Sequence, residues 1–229
     1  MKRALVALAV IASLAACGGD PDVVDQNTST KSDDEKKQPE KEQGAIVDSG
    51  FGQGDDEYVG LAAIVKNKSD HAGQTVTVSF NIKDTSGEVL KTESQVDNFS
   101  WPGQELAVVT QADLAPGQKA ASVEATLLIE DDGTFADDVS DDLGTADAPL
   151  VNSEYGGRVA KVQMTNPNDK ILKNPKVAVV CHDSSNKIAG SGFTYPDLIA
   201  PSGKYADEID VIVSASAKSC KVYLEPGLG

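Results

Sequence analysis

Three cysteines, two histidines, one tryptophan and a run of aspartates are the side chains whose types and spacing could carry chemistry in this 229-residue chain. Cys181 and Cys220 form an even pair that could be a disulfide, two buried thiols or part of a zinc site. Zinc fits poorly. Cys181 and His182 are adjacent, and adjacent residues on a strand point to opposite faces. No fourth ligand lies nearby in sequence. His71 sits beside Asp70 in an expected turn, and His182 is expected to face outward at a strand end. Neither histidine has a recognisable nucleophile beside it. The chain lacks Gly-x-Ser-x-Gly, His-Glu-x-x-His and a phosphate loop. The expectation is therefore no catalytic residue and no cofactor. Asp131, Asp132, Asp137, Asp138, Asp141, Asp142 and Asp147 offer hard oxygen ligands, so calcium is the sharp hypothesis for that segment. Their spacing does not match an EF-hand loop, and a self-repelling solvated linker is the competing reading. Trp101, before Pro102-Gly103, either closes the end of a core or anchors a ligand from an exposed turn.

The charge balance narrows what these residues can serve. A formal net charge of -16 and a pI near 4.4 argue against a nucleic-acid partner. A hydrophobic content of 40% is enough to build a core, which argues against wholesale disorder. No apolar run approaches the ~20 residues of a membrane span. The first residues have a different character. Lys2 and Arg3 precede an apolar stretch, Ala4 to Leu14, which is too short to cross a bilayer and reads as a signal peptide over residues 1–16. Leu14-Ala15-Ala16-Cys17 then resembles the lipobox of bacterial lipoproteins. That resemblance implies cleavage before Cys17, diacylglycerol on its thiol and attachment to a lipid bilayer without spanning it. Residues 17–44 comprise this cysteine and a polar segment without helical or strand period, which reads as a disordered tether.

The elements that must position the remaining residues come from an internal repeat. Ile46-Val47-Asp48-Ser49-Gly50-Phe51-Gly52 aligns with Leu150-Val151-Asn152-Ser153-Glu154-Tyr155-Gly156. Asn67, Asp70, Asp84 and Pro102 recur as Asn166, Asp169, Asp183 and Pro201. Later, Val123, Ala125 and Leu127 match Cys220, Val222 and Leu224. An ordered series of this kind points to duplication. Each copy reads as all-β. Val76, Val78, Phe80 and Ile82 alternate with polar residues, and Val177, Val179 and Cys181 take the matching places. The strands are expected at 46–51, 59–66, 75–83, 88–98, 105–112 and 120–129, then at 150–155, 158–165, 176–183, 187–195, 205–214 and 219–225. Asp84-Thr85-Ser86-Gly87 and Asp183-Ser184-Ser185-Asn186 are turns in which Gly87 or Asn186 can take positive φ. The fold class is thus all-β: two tandem small antiparallel β-sandwiches after the tether.

Phe80-Asn81-Ile82-Lys83-Asp84, after Gly60 to Asn67 and before Gly87 and Pro102-Gly103, resembles the FxLyD domain of bacterial secreted proteins and lipoproteins. Phe80, Ile82 and Asp84 fit the motif, and Lys83 departs from its tyrosine. The second copy carries Val179, Cys181, His182 and Asp183 there. The resemblance implies an immunoglobulin-like sandwich and an envelope setting, without implying a reaction. The repeat also bears on the cysteines. Their counterparts, Ile82 and Val123, lie on apolar strand faces, so a meeting of those two across the core would bring Cys181 and Cys220 together as a disulfide.

The expected organisation is signal peptide 1–16, lipidated Cys17 with tether 17–44, module 45–130, acidic linker 131–148 and module 149–229. The linker carries -7 and the last module +1, so the last module is where a partner is expected first. The reading is a lipid-anchored protein outside the cytoplasm that presents two non-enzymatic modules to an envelope protein or component. The alternatives are an ion- or small-molecule-binding lipoprotein, with calcium at the acidic linker, and, last, an envelope enzyme.

Overall fold

The computed structural model describes residues 43–131 and 142–227. Cys17, the tether to residue 42 and linker positions 132–141 lie outside the described residues. No helix occurs among the described residues. The first half supplies β1 (Gly44–Gln53), β2 (Tyr58–Asn67), β3 (Thr75–Lys83), β4 (Val89–Asn98), β5 (Glu105–Asp113) and β6 (Ser122–Glu130). These form two antiparallel sheets, ordered β1-β2-β5 and β4-β3-β6. Strand β3 shows why. Its side chains alternate buried and half-exposed along the whole strand, so Val76, Val78, Phe80 and Ile82 all enter one core, against Leu61 and Val65 of β2 and Leu106 and Val108 of β5. Each such aliphatic or aromatic side chain stabilises the fold by roughly 1.5–3 kcal/mol when fully buried.

The second half contains β7 (Thr145–Asn152), β8 (Arg158–Thr165), β9 (Leu172–Lys173), β10 (Lys176–Asp183), β11 (Ile188–Thr194), β12 (Leu198–Ile199), β13 (Lys204–Val213) and β14 (Ala217–Glu225). The two-residue strands β9 and β12 pair only with each other. The other six repeat the pairings of the first half, as β7-β8-β13 and β11-β10-β14. Two extra seams, β7 with β14 and β11 with β13, close these strands into a barrel. The second half is therefore a pair of packed sheets joined at both edges. The added pairing comes from Thr145–Pro149, which line up with Ser219–Tyr223. Part of this stretch falls in the span read as linker.

Duplication is visible at the level of hydrogen bonds. The buried Asn67 Nδ2 donates to the carbonyls of His71 (2.7 Å) and Trp101 (3.0 Å), and Oδ1 accepts from the Ser69 amide. Buried Asn166 repeats this, donating to the Lys170 (2.8 Å) and Ala200 (3.1 Å) carbonyls and accepting from the Asn168 amide. In the β3–β4 turn, Asp84 Oδ1 accepts from the Ser86 and Glu88 amides. Asp183 Oδ1 accepts from the Ser185 and Lys187 amides in the same way. Gly87 and Asn186 both take positive φ, 87° and 61°.

The described residues belong to one compact unit, Glu40–Gly229. Strands β2, β5 and β10 each contain runs buried on both faces. Their second faces meet. Ala62, Ile64, Ala107 and Val109 of the first half cluster with Ala178, Val180, Ile188 and Tyr223 of the second. Ser191 Oγ donates to the Leu61 carbonyl at 2.8 Å across this seam. Small residues permit the approach: a Cβ on Gly60 would stand 2.4 Å from the Ile212 carbonyl oxygen. The halves are thus welded face to face.

Candidate functional site

Cys181 and Cys220 form a disulfide with an S–S distance of 2.05 Å. They do not reach across the core. Cys181 on β10 lies directly opposite Cys220 on β14 in the same sheet, as Ile82 of β3 lies opposite Val123 of β6. Both pairs occupy one cross-strand position whose side chains point inward, which is why the repeat places the two cysteines together. Both cysteines are buried. His182, on the other face of β10, is half-buried. Burial pushes its pKa down, Asp48 of β1 counters this, and Lys221 adds to it. It thus faces the first half rather than open solvent. His71 pairs at 3.2 Å with the adjacent Asp70, both well exposed. No group of three or more metal-ligating side chains occurs among the described residues. Of the acidic run, Asp131, Asp142 and Asp147 are described; Asp132, Asp137, Asp138 and Asp141 are not. Asp142 Oδ1 accepts from the Gly144 amide at 2.8 Å.

Trp101 has a third role beyond the two expected. It lies in the β4–β5 turn of the first half, yet its partly buried side chain packs against the core of the second half. It also lines a cleft of about 230 Å³ at the seam, with Lys66, Glu105, Asp142, Lys221 and Tyr223. Lys221 Nζ stands 5.2 Å from the centre of the Tyr223 ring, a cation–π distance.

Beneath this cleft lies a buried charge cluster. Lys176, which opens β10, sits opposite Glu225, which ends β14. Its Nζ donates to Asp97 Oδ2 of β4 at 2.7 Å and to the Ala107 carbonyl of β5 at 3.3 Å, and lies 3.4 Å from Glu225 Oε2. Glu225 Oε1 in turn accepts from the Ala107 amide at 3.2 Å. Lys176, Asp97 and Glu225 are only 4%, 7% and 6% exposed. Every one of these contacts except the Lys176–Glu225 pair joins one half to the other. Two buried carboxyls share one ammonium, so the cluster is neutral only when the carboxyl pair holds one proton. Burial accordingly pushes Glu225 up to about 7, although Lys176 pulls it back, and burial also raises Asp97. For Lys176, burial opposes the charge, but Glu225 and Asp97 outweigh it and the pKa rises. Tyr195, after β11, feels the same charges and is raised chiefly by burial.

Sequence reasoning did not find this cluster. Its partial signal is the unbroken apolar run Val177–Cys181 behind Lys176, since a strand apolar on both faces encloses its flanking charge. Nothing local links Lys176 to Asp97, 79 residues away. Compared with known protein-family models and with curated proteins, the chain gives no match.

Proposed function

We propose that this protein is a lipid-anchored binding protein held outside the cytoplasm, whose two fused β modules engage an envelope partner without catalysing a reaction. The observation that carries the reading is Leu14-Ala15-Ala16-Cys17 at the end of a short apolar stretch, followed by a polar segment and an all-β body. The Cys181–Cys220 disulfide supports it, because such bonds persist in oxidising compartments. The immunoglobulin-like, FxLyD-type reading draws support from the repeated asparagine and aspartate turns. Phe80 and Ile82 of the motif are buried in the core, and their counterparts Val179 and Cys181 are buried likewise. Lys83 and His182, at the place of the motif's tyrosine, fall on the opposite faces of their strands.

The partner is to be sought on the fused body rather than on the last module alone, because separating the modules uncovers the apolar seam. The test is expression in a bacterial host fed an alkyne-bearing fatty acid. The wild-type chain takes the label and sediments with membranes, and Cys17→Ser does neither. Proximity labelling from the anchored protein then identifies its neighbours. Equal membrane recovery of both chains without label refutes the anchor.

A further inference from the structure

The buried cluster at the seam holds an amine against one carboxyl, with a second carboxyl beside both. Lys176 Nζ stands 2.7 Å from Asp97 Oδ2 and 3.4 Å from Glu225 Oε2. One peptide group aligns the set. The Ala107 carbonyl accepts from Lys176 Nζ at 3.3 Å, and the Ala107 amide donates to Glu225 Oε1 at 3.2 Å. Glu225 Oε2 is thereby the oxygen that faces the amine. All three side chains sit on strands, β4, β10 and β14, so their positions are fixed by the ladders rather than by loops. In water, an ammonium and a carboxylate do not condense, chiefly because water solvates both ions. Here burial removes that solvation. The neutral cluster has one ammonium, one carboxylate and one carboxylic acid. Moving a single proton from Lys176 to Asp97 turns it into a free amine and two uncharged acids, with no exchange with solvent. The raised pKa of Lys176 opposes proton loss to water, which is a different step.

We propose that Lys176 and Asp97 condense into an intramolecular amide, with Glu225 as the proton carrier, and so join the two halves covalently. The Lys176 Nζ lone pair forms a bond to the Asp97 carboxyl carbon. Glu225 gives its proton to the carbonyl oxygen and takes one from Nζ, leaving a neutral tetrahedral centre. One C–O bond then breaks. Glu225 protonates the departing hydroxyl, and the remaining hydroxyl returns a proton to Glu225. The products are one water, the amide and Glu225 in its starting form. The cleft that Glu225 lines gives the water a way out. The new amide N–H keeps the Ala107 carbonyl as its acceptor. The bond ties β4 to β10 across the seam, between residues 79 apart in sequence. The chain acts once, on itself, so the proposal is independent of the lipid anchor and of any partner. The ion cluster is the precursor state, and the linkage of its protons to stability belongs to the chain before condensation.

Peptide mass mapping tests the bond on the full-length protein. The folded chain is held at pH 6, where Glu225 keeps its proton, then denatured, reduced, alkylated and digested with trypsin. The amide blocks cleavage after Lys176 and links peptide 92–119 to peptide 174–187. The expected product is this branched peptide, lighter by one water than its two parts together. Complete cleavage after Lys176, with only linear peptides, overturns the proposal. So does loss of water confined to peptide 92–119, which marks Asp97 cyclising onto its own backbone. Asp97→Ala and Lys176→Arg should give linear peptides alone. Glu225→Gln keeps both reacting groups and should slow the branched peptide by about 10²–10⁴-fold, the scale of general acid–base catalysis. Condensation of that variant at the wild-type rate overturns the role of Glu225. The wild-type digest decides the bond whether or not the variants fold.

Discussion

Lys176→Met removes the one cation from the buried cluster and nearly conserves its length. The side chain it deletes bonds Asp97 at 2.7 Å and the Ala107 carbonyl at 3.3 Å, and balances Glu225 at 3.4 Å. Breaking a buried pair from one side typically costs about 3–5 kcal/mol, because the remaining charge stays enclosed. Two carboxyls remain here, so the upper part of that range is expected near pH 7.5. The sign of the pH dependence follows from linkage. In the unfolded chain these carboxyls titrate near 4. In the folded wild type, Glu225 is raised to about 7 and Asp97 is raised too. The folded state therefore binds more protons between those limits, and this contribution to stability falls as pH rises through the window. Without Lys176 both carboxyls hold their protons still more firmly. The loss should therefore be largest at pH 7.5 and clearly smaller at pH 5, where Glu225 holds its proton. Urea unfolding followed by circular dichroism at the two pH values measures this. A loss below about 1 kcal/mol at pH 7.5, or an equal loss at both, refutes the shared-ammonium account.

Glu225→Gln should flatten the fall in wild-type stability between roughly pH 4.5 and 7, as read by midpoint against pH; an unchanged slope assigns that proton elsewhere. Replacing both Cys181 and Cys220 by alanine opens a closed loop with a sequence separation of 39. A loss of up to about 4 kcal/mol is expected in the chain-entropy model, by urea unfolding of the oxidised wild type against the variant. Gly60→Val drives a side chain into the Ile212 carbonyl. A cost of about 1–3 kcal/mol is expected, together with faster amide exchange in β11 and β13. Asn67→Ala and Asn166→Ala should cost similar amounts, about 1–3 kcal/mol each, because each removes a buried side-chain amide that makes the same set of bonds to the backbone of two loops. A large difference between them argues against equivalent roles.

What the sequence disclosed was what depends on local pattern. Strands β3, β8 and β10 fall where alternation and apolar runs placed them, and all three share their expected limits. Asp84 and Asp183 were legible because a short acceptor side chain before Ser and Gly or Asn specifies its own turn. The cysteine pairing was legible through the repeat, though its geometry was not, since partners opposite in one sheet and partners across a core share the same apolar spacing. Three features escaped. Closure of the second half depends on how early β7 begins, and Thr145-Ala146-Asp147 carries an acid that reads as linker. Trp101 looked like a choice between core and surface because its real neighbour is the other half of the chain. The Lys176 cluster is assembled from strands distant in sequence, and only the seam brings them together.

Lipid attachment at Cys17 is read from the mass of the N-terminal peptide. Protein extracted from bacterial membranes and digested should yield a first peptide that begins at Cys17 and carries a diacylglyceryl thioether, with or without an amide-linked acyl chain. A peptide beginning at Met1, or an unmodified Cys17 in membrane-recovered protein, contradicts it.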